Sequence, residues 1–445
     1  MAASKPIASP FTLSADTERA MRQCVHCGLC LASCPTYREL GTEMDSPRGR
    51  IYLIRGMHEN RLAPSDDFGP DVNAVHHLDL CLGCRACETA CPSGVHYGDI
   101  LEGTRAAIHA NRLERRGPLA RTVQNTLMHC ILPSRTYLRL LAGLLRFYDG
   151  LGLRRLMESR PMQRLTPRFP RQVIPKTPVV QGRGFHLGSE EVYPAKGEKR
   201  GRVCFFTGCV MDAIMGDIHR DTVTVLTEQG IEVVVPADQT CCGALHVHEG
   251  DEQFAIELAK RNVAVLRRQA FDAFVNNSAG CGAHIRSWGR LLSADAEYAE
   301  AAAAISLKSI DVTRYLVDLG IRPFPAPVRG RLAYDAPCHL LHAQKEAEAP
   351  MELMRAIPEL QVDELPDADY CCGAAGSYTL TQPEMSARIF AHKLNALERV
   401  RPDIVATGNP GCIIQFESGI RQAGLAIEVL HPMQIAARAY RGAAM

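Results

Sequence analysis

Neither charge sign is in excess in this 445-residue sequence: 50 Lys and Arg stand against 49 Asp and Glu, for a formal net charge of +1. That balance argues against a nucleic-acid binder, whose affinity comes largely from neutralising phosphates. No stretch reaches about 18 uninterrupted apolar residues, so no segment reads as a membrane-spanning helix. Met1 to Met21 hold no apolar core of signal-peptide length, which points to a reducing, cytoplasmic setting rather than export. No G-x-G-x-x-G follows a strand-like run and no G-x-x-x-x-G-K occurs, so nothing in the sequence signals a flavin or nicotinamide held by this chain. Hydrophobic residues at 46% and charged residues at 22% exclude disordered, collagenous and coiled-coil classes. The length suits about three domains, or two with one doubled. Cysteine is what the sequence has in abundance, 18 residues in all, and in a reducing compartment cysteine more often binds metal than forms disulfides.

Eight of these cysteines form two runs. Cys24, Cys27, Cys30 and Cys34 precede Pro35, and Cys81, Cys84, Cys87 and Cys91 precede Pro92, both with the spacing C-x-x-C-x-x-C-x-x-x-C-P. Three thiolates at three-residue steps can wrap a loop around three irons of a [4Fe-4S] cube, while the fourth points away. In two-cluster ferredoxins that fourth cysteine ligates the other cluster. The predicted ligand sets are therefore Cys24, Cys27, Cys30 with Cys91, and Cys81, Cys84, Cys87 with Cys34. Proline lacks an N–H and has a helix-ready φ, so it is expected to open a helix directly after each run. Zinc is the alternative metal, but a Zn site takes two spaced pairs, and these runs carry a third regular cysteine and the proline besides. Between the runs, Ser46-Pro47-Arg48-Gly49-Arg50 predicts a helix with Ser46 as N-cap and Pro47 in its first turn. Arg48, Arg50 and Arg55 are expected on its solvated face, with the clusters or a partner as the alternative.

Tyr137 to Met157 carries leucines interrupted by Arg139, Arg146, Asp149, Arg154 and Arg155, the pattern of an amphipathic helix, or of two broken at Gly150 and Gly152. Packing on its own domain or a partner is the plain reading; a bilayer interface is the alternative. Pro161 to Pro194, with Pro167, Pro170, Pro175 and Pro178, reads as an extended connector. Cys130, alone beside Met128 and Ile131, is expected to be a small buried hydrophobe.

Beyond the connector four landmarks recur. Cys209, Cys241-Cys242-Gly243 and Cys281 are matched by Cys338, Cys371-Cys372-Gly373 and Cys412, each displaced by about 130 residues, which marks a tandem repeat. Each landmark follows a short apolar run that reads as a strand: Val203 to Phe206, Ile231 to Val235 and Ala273 to Val275, then Leu332 to Tyr334, Gln361 to Leu365 and Ile404 to Ala406. Helical patterns such as Ile218 to Gln229 and Gln253 to Gln269 alternate with them. That alternation predicts parallel sheets, whose ligands collect at the carboxyl ends of strands. Adjacent cysteines such as Cys241 and Cys242 point to opposite faces, so both cannot be simple core filling.

Taken together, the two cysteine-proline runs, Ser46-Pro47-Arg48-Gly49-Arg50, the stretch Asp79 to Val95 and the two Cys-Cys-Gly units resemble the iron-sulfur subunits of glycolate oxidase, also called glycolate dehydrogenase. The resemblance covers nearly the whole chain except the connector. It implies an α/β protein overall: a mainly helical ferredoxin-type domain with two [4Fe-4S] motifs (1–135), an amphipathic segment and connector (136–200), and two Cys-Cys-Gly units with parallel sheets (201–330 and 331–445). It implies two [4Fe-4S] clusters and no flavin in this chain. It also implies FAD-bearing partner subunits that oxidise glycolate to glyoxylate, no catalytic residue in this chain, and single-electron delivery towards a membrane quinone from a peripheral cytoplasmic position. Related subunits serve lactate use, glycerol 3-phosphate oxidation and heterodisulfide reduction, which are the alternative pathways. A Zn-binding or thiol redox-sensing scaffold is the alternative of another class. Relatives with the full Cys-Cys-Gly motif end in C-x-x-C and supply five thiolates to a non-cubane cluster; here His284 and Gln415 stand at the final positions. A further metal or iron-sulfur centre is therefore expected on Cys209, Cys241, Cys242, Cys281 and His284, and on Cys338, Cys371, Cys372 and Cys412, with a metal-free scaffold as the alternative. His246, His248 and His339 are further candidates as ligands or proton carriers, with a surface position as the plain alternative.

Overall fold

The computed structural model describes residues 11–63, 73–115, 117–159, 161–162, 166, 174–180, 182–185 and 188–442. Pro167 and Pro170 of the connector lie outside them. Two compact units form: one from residues 1–125 with 245–253, the other from 126–244 with 254–445. By packing, then, residues 245–253 of the first Cys-Cys-Gly segment group with the N-terminal cysteine runs.

The N-terminal unit is built from short helices, among them Ala15–Arg22, Pro35–Leu40, Pro47–His58, Ala74–Asp79 and the long Tyr97–Arg115. Three of these starts are set by side-chain caps: Ser14, Ser46 and Asn73 each accept a backbone N–H of the first turn. Pro47 follows its cap at the first helical position. A Cβ on Gly49 would sit 1.9 Å from the Glu43 carbonyl oxygen, so only glycine lets this helix start lie against the preceding turn. The helices close on Phe11, Met21, Ile51, Ile54, Met57, Leu78 and Ile100, a core that also takes in Cys81 and Cys87. Pro35 opens a helix directly after Cys34. Pro92 does not: a turn follows it, and the next helix starts at Tyr97.

The second unit carries two sheets, one wholly parallel and one parallel but for a single edge strand. The first contains β1 (Glu191–Tyr193), β2 (Gly201–Phe206), β3 (Ile231–Val235), β4 (Ala273–Asn276) and β5 (Ser309–Asp311), in the order β1-β3-β2-β4-β5. The second contains β6 (Gly330–Tyr334), β7 (Leu360–Glu364), β8 (Ile404–Ala406) and β9 (Glu428–Leu430), in the order β7-β6-β8-β9. Apart from β1, which pairs antiparallel with β3, the two orders are the same, so the sequence repeat is also a repeat of topology. Val203 stands opposite both Val233 and Ala273, and Leu332 opposite both Val362 and Ile404. In each sheet the chain leaves the central strand to one side and returns on the other. The carboxyl ends flanking β2 and β6 are therefore switch points, where such folds bind ligands.

The amphipathic stretch forms the helices Arg135–Gly150 and Leu153–Glu158, separated at Gly152 in the left-handed region (φ 71°). Leu138 and Ala142 pack into the second unit, whereas Leu140, Leu141, Leu144 and Phe147 are exposed. Among the described residues no helix is long and apolar enough to cross a membrane. The buried position expected for Cys130 is not what the fold provides: it is exposed on the helical turn Thr126–Ile131, whose side chains include no buried one.

Candidate metal centres

Cys34, Cys81, Cys84 and Cys87 line a single pocket in the N-terminal unit, together with Arg50, Tyr97, Gly83 and Pro35. All four cysteines are buried. Burial pushes the Cys87 thiol well up, and the neighbouring Cys84, Cys81 and Cys34 push in the same direction. Four thiols crowded away from water hold negative charge only with a cation among them. The positively charged core of an iron-sulfur cube is such a partner, so this donor set fits the cluster the cysteine run implies. Around it the Gly83 N–H donates to Cys81 Sγ at 3.4 Å and the Tyr97 hydroxyl to the same sulfur at 3.9 Å. Cys34 Sγ lies 3.3 Å from Thr36 Oγ1.

The other four cysteines are more open. Cys24, Cys30 and Cys91 are half-buried against the apolar core of the unit, and Cys27 is exposed. Burial raises the Cys30 thiol to about 11, and Cys24 adds to the effect. The Val95 N–H donates to Cys91 Sγ at 3.4 Å. At Gly28, where φ is +85°, a Cβ would meet Arg48 Nη1 at 2.6 Å. That guanidinium bridges Glu43, at 2.7 and 2.9 Å, and the His26 carbonyl, at 3.3 Å, and so ties the first cysteine loop to the helix Pro47–His58.

Arg50 departs from the solvated face expected for it: it is 1% exposed. Two residues apart on a helix is about 200° of rotation, so Arg48 and Arg50 leave the same helix on opposite sides. Arg50 donates from Nε to the His77 carbonyl at 2.6 Å and from Nη2 to Thr36 Oγ1 at 2.9 Å, and its Nη1 lies 3.7 Å from Cys34 Sγ. Asp45 Oδ1 stands 3.6 Å from Nη2 and 2.9 Å from His77 Nδ1. Burial opposes the charge on Arg50, but Cys81 and Cys34, followed by Tyr97 and Asp45, hold it above its ordinary pKa. Arg55 stays exposed, paired with Glu59 at 2.9 Å.

In the repeat, Cys209 follows β2, Cys241 and Cys242 follow β3, and Cys281 follows β4, all on the carboxyl side. Cys209 is hydrogen-bonded to Cys241, and Cys242 to both Cys241 and Cys281; these bonds, with burial, raise the Cys209 and Cys242 thiols well above the usual range. His284 is buried on the helix Ala279–Ile285, its Nε2 3.2 Å from where a side chain on Gly243 would begin. In the second Cys-Cys-Gly segment Cys372 Sγ and Cys412 Sγ are hydrogen-bonded at 3.2 Å, and Cys371 bonds to Cys338 and Cys372. Those bonds hold Cys338 and Cys372 well below the usual thiol range and push Cys371 and Cys412 above it. Gln415 is turned elsewhere, donating to Ser386 Oγ at 3.3 Å. His339 Nδ1 lies 3.6 Å from Cys338 Sγ. His246, for which a surface position was the plain alternative, is fully buried, and His248 faces Glu102 at 3.9 Å. Among the described residues no group of three or more His, Cys, Asp or Glu is arranged to hold a single metal ion.

Each of these cysteine groups falls inside a segment shared with known proteins. Residues 20–95 match the 4Fe-4S dicluster domain, and residues 203–286 and 332–417 match the Cysteine-rich domain. The chain is 35% identical over 415 residues to the probable glycolate oxidase iron-sulfur subunit of Bacillus subtilis (strain 168), over 93% of this chain and 92% of that one. This chain belongs to the glycolate oxidase iron-sulfur subunit family. The member from Escherichia coli (strain K12) is 32% identical over 91% of this chain and 92% of its own length. Lactate utilization protein A of Oceanobacillus iheyensis is 27% identical over 53% of this chain and 96% of its own length. As a member of the family the chain is an iron-sulfur subunit that transfers electrons. Sequence reasoning left aside Asp45, His77, Thr36 and Tyr97, and for Arg50 the alternative it offered, a position facing the cysteines, is the one the fold provides. Only Arg50 carried a usable signal, its two-residue offset from Arg48 on a capped helix.

Proposed function

We propose that this chain is the electron-carrying subunit of a glycolate-oxidising complex, with one [4Fe-4S] cluster on Cys81, Cys84, Cys87 and Cys34 and another on Cys24, Cys27, Cys30 and Cys91. The observation that carries the reading is the buried pocket walled by one whole cysteine set, including the cysteine borrowed from the other run. Such clusters, when bound, accept and release one electron at a time. Oxidation of a 2-hydroxy acid removes two electrons, commonly as a hydride, so the substrate step is assigned to FAD-binding partner subunits. The chain's own residues supply the thiolates, exclude water from the buried set, and leave the Cys27 edge of the other open for exchange with a partner. A quinone at a membrane surface is the proposed acceptor, reached from the cytoplasmic side.

In the repeat the fit differs between the two units. Both offer four hydrogen-bonded cysteines, but the first adds a buried imidazole beside Gly243, so we propose the further centre there, as an iron-sulfur cluster rather than a single metal ion. The second offers four cysteines and a glutamine committed to Ser386.

Anaerobically purified chain is expected to bind iron and to show no glycolate-dependent dye reduction by itself. Adding the partner subunits should bring turnover and glycolate-dependent reduction of its clusters. Turnover by the isolated chain would refute the division of labour, and reduction by lactate in place of glycolate would move the subunit to the alternative pathway.

A further inference from the structure

Arg50 is a cation sealed into the wall of the cysteine pocket, and it does more there than an apolar side chain of its volume could. A guanidinium at 1% exposure is costly to bury unless negative charge repays it. Asp45, its nearest carboxylate, is shared with His77 and with Thr42 Oγ1. The end of the guanidinium that Asp45 does not face, Nη1, is directed at Cys34 Sγ from 3.7 Å. The Nε bond to the His77 carbonyl and the Nη2 bond to Thr36 fix that orientation. By contrast the arginine nearest the more open cysteine set, Arg48, is partly exposed and spends its charge on Glu43.

We propose that Arg50 is a positioning residue that raises the reduction potential of the cluster held by Cys34, Cys81, Cys84 and Cys87, so that the two clusters of the chain differ in potential. The inference rests on the ligand sets proposed above. Adding one electron adds one negative charge, and no proton is required, because the guanidinium remains cationic throughout. A fixed cation beside a ligand sulfur in a water-poor pocket favours the more negative form, since net charge and hydrogen bonds to sulfur are what set such potentials. Asp45 has the opposite effect by cancelling part of that field.

The test is an EPR-monitored redox titration of the full-length, anaerobically prepared chain with dithionite as reductant, with iron content measured on each sample. Arg50→Met is expected to lower the midpoint of one cluster and leave the other in place, Arg50→Lys to fall between wild type and Arg50→Met, and Asp45→Asn to raise the midpoint of the same cluster. Loss of packing alone would not give shifts of opposite sign. Unchanged midpoints in iron-replete Arg50→Met would overturn the proposal, as would loss of iron from all three variants, which would make Arg50 purely structural. Failure of the underlying ligand reading shows differently: wild-type chain without two one-electron signals, whatever the variants do.

Discussion

Replacing His431 by Gln should change how the stability of the second unit depends on pH, by an amount the structure allows to be worked out. His431 is buried, accepts the Met433 N–H at Nδ1 (3.1 Å) and donates from Nε2 to the Asn277 carbonyl (2.9 Å), so both ring nitrogens are used by the neutral form. Burial lowers its pKa from 6.5 to about 3, with the Asn277 bond opposing and nearby His219 assisting. Unfolded chain therefore takes up a proton below about pH 6.5 that the folded chain refuses. The stability this residue contributes is complete above that pH and is lost as pH falls towards 3. Between pH 7 and pH 5 the loss is about 2 kcal/mol. His219, lowered to about 4 by burial, loses a similar amount. Asp311 and Asp335, raised to about 6 and about 7 by burial, work in the opposite direction: their folded forms bind the proton first, so stability grows as pH falls. The four groups nearly cancel, and the wild type alone is uninformative. The difference between wild type and His431→Gln isolates one of them. At pH 7 the variant should be less stable by about 1 kcal/mol, because His431 caps the helix Pro432–Arg441. By pH 5 that deficit should close by about 2 kcal/mol, removing it and reversing the order. Urea unfolding followed by the fluorescence of Trp288, the single tryptophan of the chain and fully buried in this unit, measures it. A gap constant to within about 0.5 kcal/mol between the two pH values would refute the reasoning.

Two further outcomes are expected. Cys34→Ser should cost the iron of the cluster on Cys81, Cys84 and Cys87 while the other cluster persists, which iron analysis with EPR would show as loss of about four of about eight irons; loss of the other signal first would reverse the crossed ligand sets. Gly419→Ala should destabilise the second unit by about 1–3 kcal/mol in the same urea assay, because a Cβ there would sit 2.0 Å from Cε1 of buried Phe390 on the adjacent helix Pro383–Val400.

Local patterns determined a good deal of this protein. Cysteine spacing marked two cysteine loops, an offset of about 130 residues marked the repeat, short runs rich in apolar residues located β2, β3, β4, β6 and β8, and the place of Gln361 to Leu365 in the repeat located β7. Ser46 and Pro47 announced their helix because a cap and a helix-ready φ are properties of adjacent residues. The strands β1, β5 and β9 were not legible: each is three residues long and, unlike the equally short Ile404–Ala406 of β8, includes charged residues (Glu191, Asp311, Glu428), so that only pairing with a neighbouring strand marks it. The same distinction holds at the site. Spacing identifies which thiols belong to a run, but burial and electrostatic neighbourhood depend on what the fold brings opposite. The grouping of Cys34 with Cys81, Cys84 and Cys87 was expected from spacing, but only the tertiary structure sealed that pocket from water, left Cys130 in the open, and turned Arg50 inwards while Arg48 remained at the surface. A residue's own identity carries its charge and shape; the free energy of placing that charge is set by atoms distant in the chain.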